Sequence, residues 1–147
     1  MGYITNFTGK VLAKDGITDV TLQFMDFVTQ MKEAAAFATK SHDFFTQDAL
    51  TKLEDFKVKL AGENMSNILI MVQDVVQDGV EAKWYSYHKN MIQFSAAFPD
   101  FIFEIKGVGE EHKDQWINWY CNGKSVGGQA QVVFPTLDLD ALLNEKP

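Results

Sequence analysis

The sequence contains no arginine. All 13 basic residues are lysines, and they face 20 acidic residues, for a formal net charge of −7. Arginine supplies the planar fork that grips phosphates and guanine edges at two points. Phosphate contacts also carry most nucleic-acid affinity, so direct nucleic-acid binding is not expected. Cysteine is nearly absent as well: Cys121 stands alone, which rules out an intramolecular disulfide. The longest apolar run, Ile68 to Val72, falls far short of the roughly 20 residues of a membrane helix. No basic-then-apolar leader is read at the start of the chain. These absences predict a cytoplasmic protein without a membrane partner. No known catalytic motif is present, so no catalytic residue, metal ligand or cofactor is assigned, and the oligomeric state is left open.

Apolar residues, by contrast, are plentiful. They make up 46% of the 147 residues, and 12 of them are phenylalanines. A chain of this length suits one domain with a substantial core, and large aromatic side chains should dominate it. The expected organisation is a single domain over 1–147, with a helical half over about 1–64, a sheet-rich half over about 65–136 and an acidic tail over 137–147.

Alternation predicts a strand from Tyr3 to Ala13, with a turn at Asp15-Gly16. Thr18 can cap a helix whose stripe is Val20, Phe24, Phe27, Val28, Met31 and Ala35; a strand through Val20, Leu22 and Phe24 is the rival reading. Thr46 can cap a second helix, with Leu50, Leu53, Phe56 and Leu60 buried and Gly62 left-handed just past its end. Ile68 to Val76 reads as a strand that Asp78-Gly79 turns into a hairpin with Val80 to Tyr85. A helix from Ser66 to Gln77 fits the same residues, and periodicity alone does not separate the two.

Further on, Ser86 opens a short helix with Tyr87, Met91, Phe94 and Phe98 on one face, stopped by Pro99. Phe101, Phe103 and Ile105 alternate as a strand. Gly107 and Gly109 open a loop, Gln115 to Cys121 is the next strand, and Asn122-Gly123 is a hairpin signal. A last strand is expected over about Gln129 to Phe134. The fold class is therefore α+β: a mainly antiparallel sheet with the N-terminal helices packed on one face. Its C-terminal half has the strand-helix-strand-strand order of ferredoxin-like sheets.

The C-terminal third carries a set of aromatic and turn residues: Trp84-Tyr85-Ser86, Met91, Phe94-Ser95, Phe98-Pro99-Asp100, Phe103, Gly107, Gly109-Glu110, Asp114, Trp116, Tyr120 and Asn122-Gly123-Lys124. This set resembles small proteins of bacteria, phages and plasmids, some of which look like the YubB ferredoxin-like domain. The resemblance implies a fold and a mobile-element origin, and it offers no catalytic residues to carry over.

Four groups of residues bear on function. Glu110, Glu111, His112 and Asp114 place three carboxylates and an imidazole within five positions, but the spacing matches no calcium loop or zinc signature and Lys113 interrupts it. Such charge runs are usually solvated loops. His42 beside Asp43, or His88, has only Cys121 or a hydroxyl as a possible nucleophile, and Cys121 reads as an inert thiol facing the same way as Ile117 and Trp119. Gly107-Val108-Gly109 and Gly127-Gly128 lead into no helix, so neither is a phosphate cradle.

The aromatics are the stronger signal. Trp116 and Tyr120 point one way and Trp119 the other, so one helical layer should leave at least one of them exposed beside Glu110, Glu111 and Asp114. These six residues are the expected partner-binding set. The function they suggest is a non-enzymatic, acidic module that binds a host protein, with inhibition of a host defence or nucleic-acid-processing protein as a subclass. The alternative is a divalent-metal-dependent enzyme or ligand-binding domain using the Glu110–Asp114 loop, with His88 as a further candidate.

Overall fold

The computed structural model describes residues 4–38, 47–62, 64–110, 114–130 and 135–144. Its strands are β1 (Thr5–Leu12), β2 (Val80–Ala82), β3 (Ile102–Val108), β4 (Gln115–Cys121) and β5 (Lys124–Gln129). Its helices are α1 (Thr21–Ala38), α2 (Gln47–Leu60), α3 (Met65–Gln77), α4 (Tyr87–Ala97) and α5 (Leu139–Asn144). The class is α+β. The strands form one sheet in the order β2-β1-β3-β4-β5, and every neighbouring pair is antiparallel.

The chain does follow the order strand-helix-strand-strand through β2, α4, β3 and β4. In a ferredoxin-like unit the strand after the helix-linked pair returns between its two members. Here β1 occupies that place: β2 and β3 both run antiparallel to it and hence parallel to each other. The strand order is therefore not that of a simple ferredoxin fold.

Register sorts the side chains into two faces. On one face Phe7, Gly107 and Trp116 lie in a row, followed by Gly9, Ile105 and Asn118, then Val11, Phe103 and Tyr120. Helices cover this face, with Phe24 of α1 against Phe103 at 5.3 Å and Tyr87 of α4 stacked on Trp116 at 4.3 Å. Helix α3 reaches the sheet over Gly9, where an added Cβ would collide with the Glu104 carbonyl oxygen and meet Val75 Cγ1 at 3.2 Å. The opposite face carries Lys10, Glu104, Trp119 and Val126 in one row, with Thr8, Lys106, Ile117 and Gly128 in the next.

The ambiguous apolar runs are settled by which residues are buried. Ile68, Leu69, Val72, Val75 and Val76 are all in the core, a helical stripe, while Ile70 is exposed. A strand would have put Ile68, Ile70 and Val72 on one face. The reading of 68–76 as a strand is corrected accordingly, and Asp78-Gly79 ends a helix instead of forming a two-residue hairpin. Gly79 takes φ 77°, and its N–H donates to the Asp74 and Val75 carbonyls, a left-handed helix end. Likewise Phe24 is fully buried and Leu22 is 77% exposed, which excludes the strand alternative in α1.

Three local readings also change. Thr18 does not cap α1: its hydroxyl donates to Asp15, while Asp19 accepts from the Thr21 N–H at the helix start. Gly62 is not left-handed; Asn64 is, with φ 63°, immediately before α3. Gly107 belongs to β3 and not to the following loop. The proposed Thr46 cap lies outside the described residues.

Asn122 and Gly123, at φ 49° and 79°, make the expected tight turn. That turn pairs Cys121 directly with Lys124, so β5 runs over Lys124–Gln129, where no strand was expected before Gln129. Residues 131–134 of the expected last strand lie outside the described residues. The tail does form a short helix, α5, whose Leu139, Leu142 and Leu143 are exposed. Among the described residues, no helix is long and apolar enough to cross a membrane.

Phenylalanines organise the core as composition suggested. Phe24 meets Phe94, Phe98, Phe101 and Phe103 with ring centroids 5.1–6.3 Å apart, mostly edge to face. Phe56 ties α2 in through Phe27 at 5.9 Å and Phe98 at 6.4 Å. Phe94 is fully buried at the centre of this cluster. Phe94→Ala should destabilise the protein by about 3–5 kcal/mol in denaturant melts; a loss below about 1 kcal/mol would contradict the placement of α4.

Candidate functional site: an aromatic cleft with an acidic rim

On the helix-covered face, Trp116 at the start of β4 reaches across β3 toward Phe7 of β1 and toward the junction between β2 and α4. The segments meet in a row that has glycine at its centre. Gly107 sits between Phe7 and Trp116, and a Cβ there would collide with Cζ2 and Cε2 of the Trp116 indole. The missing side chain lets the indole fold down over β3 until its centroid is 5.8 Å from the Phe7 ring. Tyr87, in the first turn of α4, then stacks on Trp116 with an interplanar angle of 14°. Trp84 completes the group at 5.4 Å from Phe7 and 6.2 Å from Tyr87.

Hydrogen bonds fix two of these rings. Trp84 donates its indole N–H to Asn90 Oδ1 at 2.8 Å, across the first turn of α4. Asn118 Nδ2 donates to the Tyr87 hydroxyl at 3.2 Å. Between the rings lies a cleft of about 160 Å³ lined by Thr5, Phe7, Trp84, Tyr85, Tyr87 and Trp116. Phe7 is buried and forms the floor, Trp84, Tyr87 and Trp116 are half-buried, and Tyr85 is 68% exposed.

Two carboxylates border this end of the sheet. Glu110 accepts the Ile4 N–H at 3.0 Å, next to the cleft residue Thr5. Asp114 lies two residues before Trp116, and its carbonyl accepts the Gly109 N–H at 2.7 Å, closing the β3–β4 loop. The Asp114 charge is felt in the cleft. Burial pushes the Tyr87 phenol above its ordinary range, donation from Asn118 opposes that, and the Asp114 carboxylate adds to the rise.

The six expected partner-binding residues therefore part company. Trp116 lines the cleft, Asp114 acts on its Tyr87 phenol, and Glu110 lies at the same end of the sheet, bonded to the Ile4 N–H. Glu111 lies outside the described residues, as do His42, Asp43, His112 and Lys113 of the other candidates. Tyr120 is fully buried, which removes it from any surface. Its hydroxyl lies 2.9 Å from His88 Nδ1, and burial holds its phenol well above the usual range. Trp119 is on the opposite face, where its indole N–H donates to Glu104 Oε1 at 2.9 Å. Lys10 lies 3.7 Å from the other oxygen of the same carboxylate, so Trp119 acts as a half-buried cover over a buried charge.

A larger hollow of about 400 Å³ opens beside Trp119, but lysines 14 and 124 line it, the opposite sign to the cleft rim. Cys121 is half-buried with its thiol 3.9 Å from the Pro99 carbonyl. Among the described residues, no three histidine, cysteine or carboxylate groups are placed to share a metal ion.

The cleft residues outside the expected partner set are Thr5, Phe7, Trp84, Tyr85 and Tyr87, and the last three lie close together in the chain. The signal was present in the sequence as three aromatics within four positions at a strand–helix junction. Tyr87 was instead attributed to the buried stripe of α4, which it does begin.

No family model, curated protein or solved structure matches the chain.

The two raised phenols have a consequence for alkaline stability. Their native pKa values exceed the unfolded value of about 10, so folding favours the protonated form. That contribution is complete below about pH 10 and is lost as pH rises through the native values. In a titration of tyrosinate absorbance, native protein should withhold part of its signal until well above pH 10, and Tyr120→Phe should remove the highest step. Full development of the signal around pH 10 in folded protein would contradict this placement of Tyr87 and Tyr120.

Proposed function

We propose that this protein is a non-enzymatic, acidic protein-binding module whose contact surface centres on the cleft of Trp84, Tyr85, Tyr87 and Trp116. The observation that carries the reading is the juxtaposition of a largely exposed Tyr85 with half-buried tryptophans, close enough to Asp114 for its carboxylate to act on Tyr87. Interface hot spots are enriched in tyrosine and tryptophan at a desolvated centre. The cleft lining offers aromatic faces and a threonine hydroxyl, and its Tyr87 phenol is held protonated. That suits recognition better than proton transfer at neutral pH.

The net charge of −7 would steer the protein toward a basic surface and disfavour acidic competitors. With the likeness of residues 83–124 to proteins of phages and plasmids, the partner is a host protein in the cytoplasm. Occupation of a basic groove on a defence or nucleic-acid-processing protein is the mode that this charge serves. The divalent-metal reading of the Glu110–Asp114 loop gains no such support, because the Glu110 carboxylate is already engaged by the Ile4 N–H.

Capture from host lysate with tagged wild-type protein, Tyr85→Ala and Trp119→Ala tests the assignment. Tyr85→Ala should weaken capture by about 2 kcal/mol, roughly 30-fold, while its stability stays within about 0.5 kcal/mol of wild type. Trp119→Ala, on the other face, should keep whatever binding its fold permits. Undiminished capture by Tyr85→Ala would move the interface away from the cleft.

A further inference from the structure

The cleft is too small for an ordinary small-molecule ligand and is built for a particular kind of head group. At about 160 Å³ it falls below the roughly 300–1,000 Å³ of ligand pockets. A single side-chain terminus fits that space. The lining is almost wholly aromatic, and the faces of tryptophan and tyrosine rings are negative by virtue of their quadrupoles. Glu110 and Asp114 add formal negative charge at the same end of the sheet. Lys83, exposed and next to Trp84 in the chain, is of opposite sign.

An apolar anchor would gain nothing from that charge, and an acidic anchor would be repelled by it. We infer that the cleft receives an organic cation from the partner: a lysine or arginine head group, or a methylated ammonium. This rests on the binding reading above and names the chemistry of its anchor. Cation–π contact requires the charge within about 6 Å of a ring centroid. The Phe7, Trp84, Tyr87 and Trp116 centroids lie 4.3–6.2 Å apart wherever their pairs meet, and these four rings line the cleft together with Tyr85.

The rings are also held before any ligand arrives. Asn90 and Asn118 fix Trp84 and Tyr87, and Gly107 seats Trp116. Preorganisation of this kind lowers the ordering cost of binding.

The test compares choline with 3,3-dimethylbutan-1-ol, which has the same shape and no charge, by amide NMR and tryptophan fluorescence. Nα-acetyl-lysine amide and arginine amide, as further arms, distinguish an unmodified side chain from a methylated one. Choline should shift the amide signals of residues 84–87 and 114–116 and bind about 2- to 30-fold more tightly than the neutral isostere. Tyr85→Leu and Asp114→Asn should each reduce the difference, and Trp119→Leu should leave it unchanged. Equal binding of the isostere would overturn the proposal and make the cleft an apolar anchor site. So would the absence of any cation effect, or shifts confined to the Trp119 face. Each of these outcomes leaves the lysate capture by Tyr85 variants to decide separately whether the cleft binds a protein at all.

Discussion

The seating of the Trp116 indole on the bare α-carbon of Gly107 sets the geometry of the cleft end of the sheet. A side chain at position 107 would occupy the space of the indole, and the ring would have to swing away from β3. Phe7 would then lose an edge contact and Tyr87 its stacking partner. Each such aromatic pair contributes roughly 0.5–1.5 kcal/mol beyond its buried area. The larger consequence is positional, because Tyr87 opens α4 and its stacking helps fix how that helix meets the sheet.

A second glycine does comparable work further along the same face. Gly9 lets α3 approach β1 closely enough for Val75 to stand over the strand. Beyond Gly9, over the row of Val11, Phe103 and Tyr120, lies the phenylalanine cluster around Phe24 and Phe94. The architecture follows from a one-layer cover: helices on one face, and a second face managed by charge and by Trp119. Glu104 is buried there, and its two oxygens are met by the Trp119 N–H and the Lys10 ammonium. A buried carboxylate without such partners would be costly, which explains why the half-buried ring at position 119 lies over its neighbour.

Much of the fold was legible in the sequence where one local rule acted alone. Strand β4 and the Asn122-Gly123 turn were read to the residue, because alternation and left-handed turn chemistry agree there. The run from Ile68 to Val76 was not decidable by itself: branched residues favour a strand, and only the burial of positions 68, 69, 72, 75 and 76 against the exposure of Ile70 selects a helix. Strand β5 was not anticipated because its glycines disguised a simple constraint: the tight turn commits the chain to pair at once. The strand order was beyond sequence reading, since nothing local tells β1 to lie between β2 and β3.

The site was half legible for a related reason. Alternation correctly sent Trp116 and Trp119 to opposite faces. It could not show that Tyr120 is sealed by α4, or that Gly107 is a strand residue kept bare for an indole. The cleft depends on contacts between residues 7, 84, 87, 107 and 116, which no window along the chain contains.

The most direct test of this account is the proton spectrum of Gly107. An indole resting on its α-carbon must place at least one Hα in the shielding region of the ring. The account predicts a strongly upfield Gly107 Hα with cross-relaxation to the Trp116 Hζ2 and Hε1 protons. Gly107 α-protons at ordinary strand positions, with no cross-peak to Trp116, would contradict it.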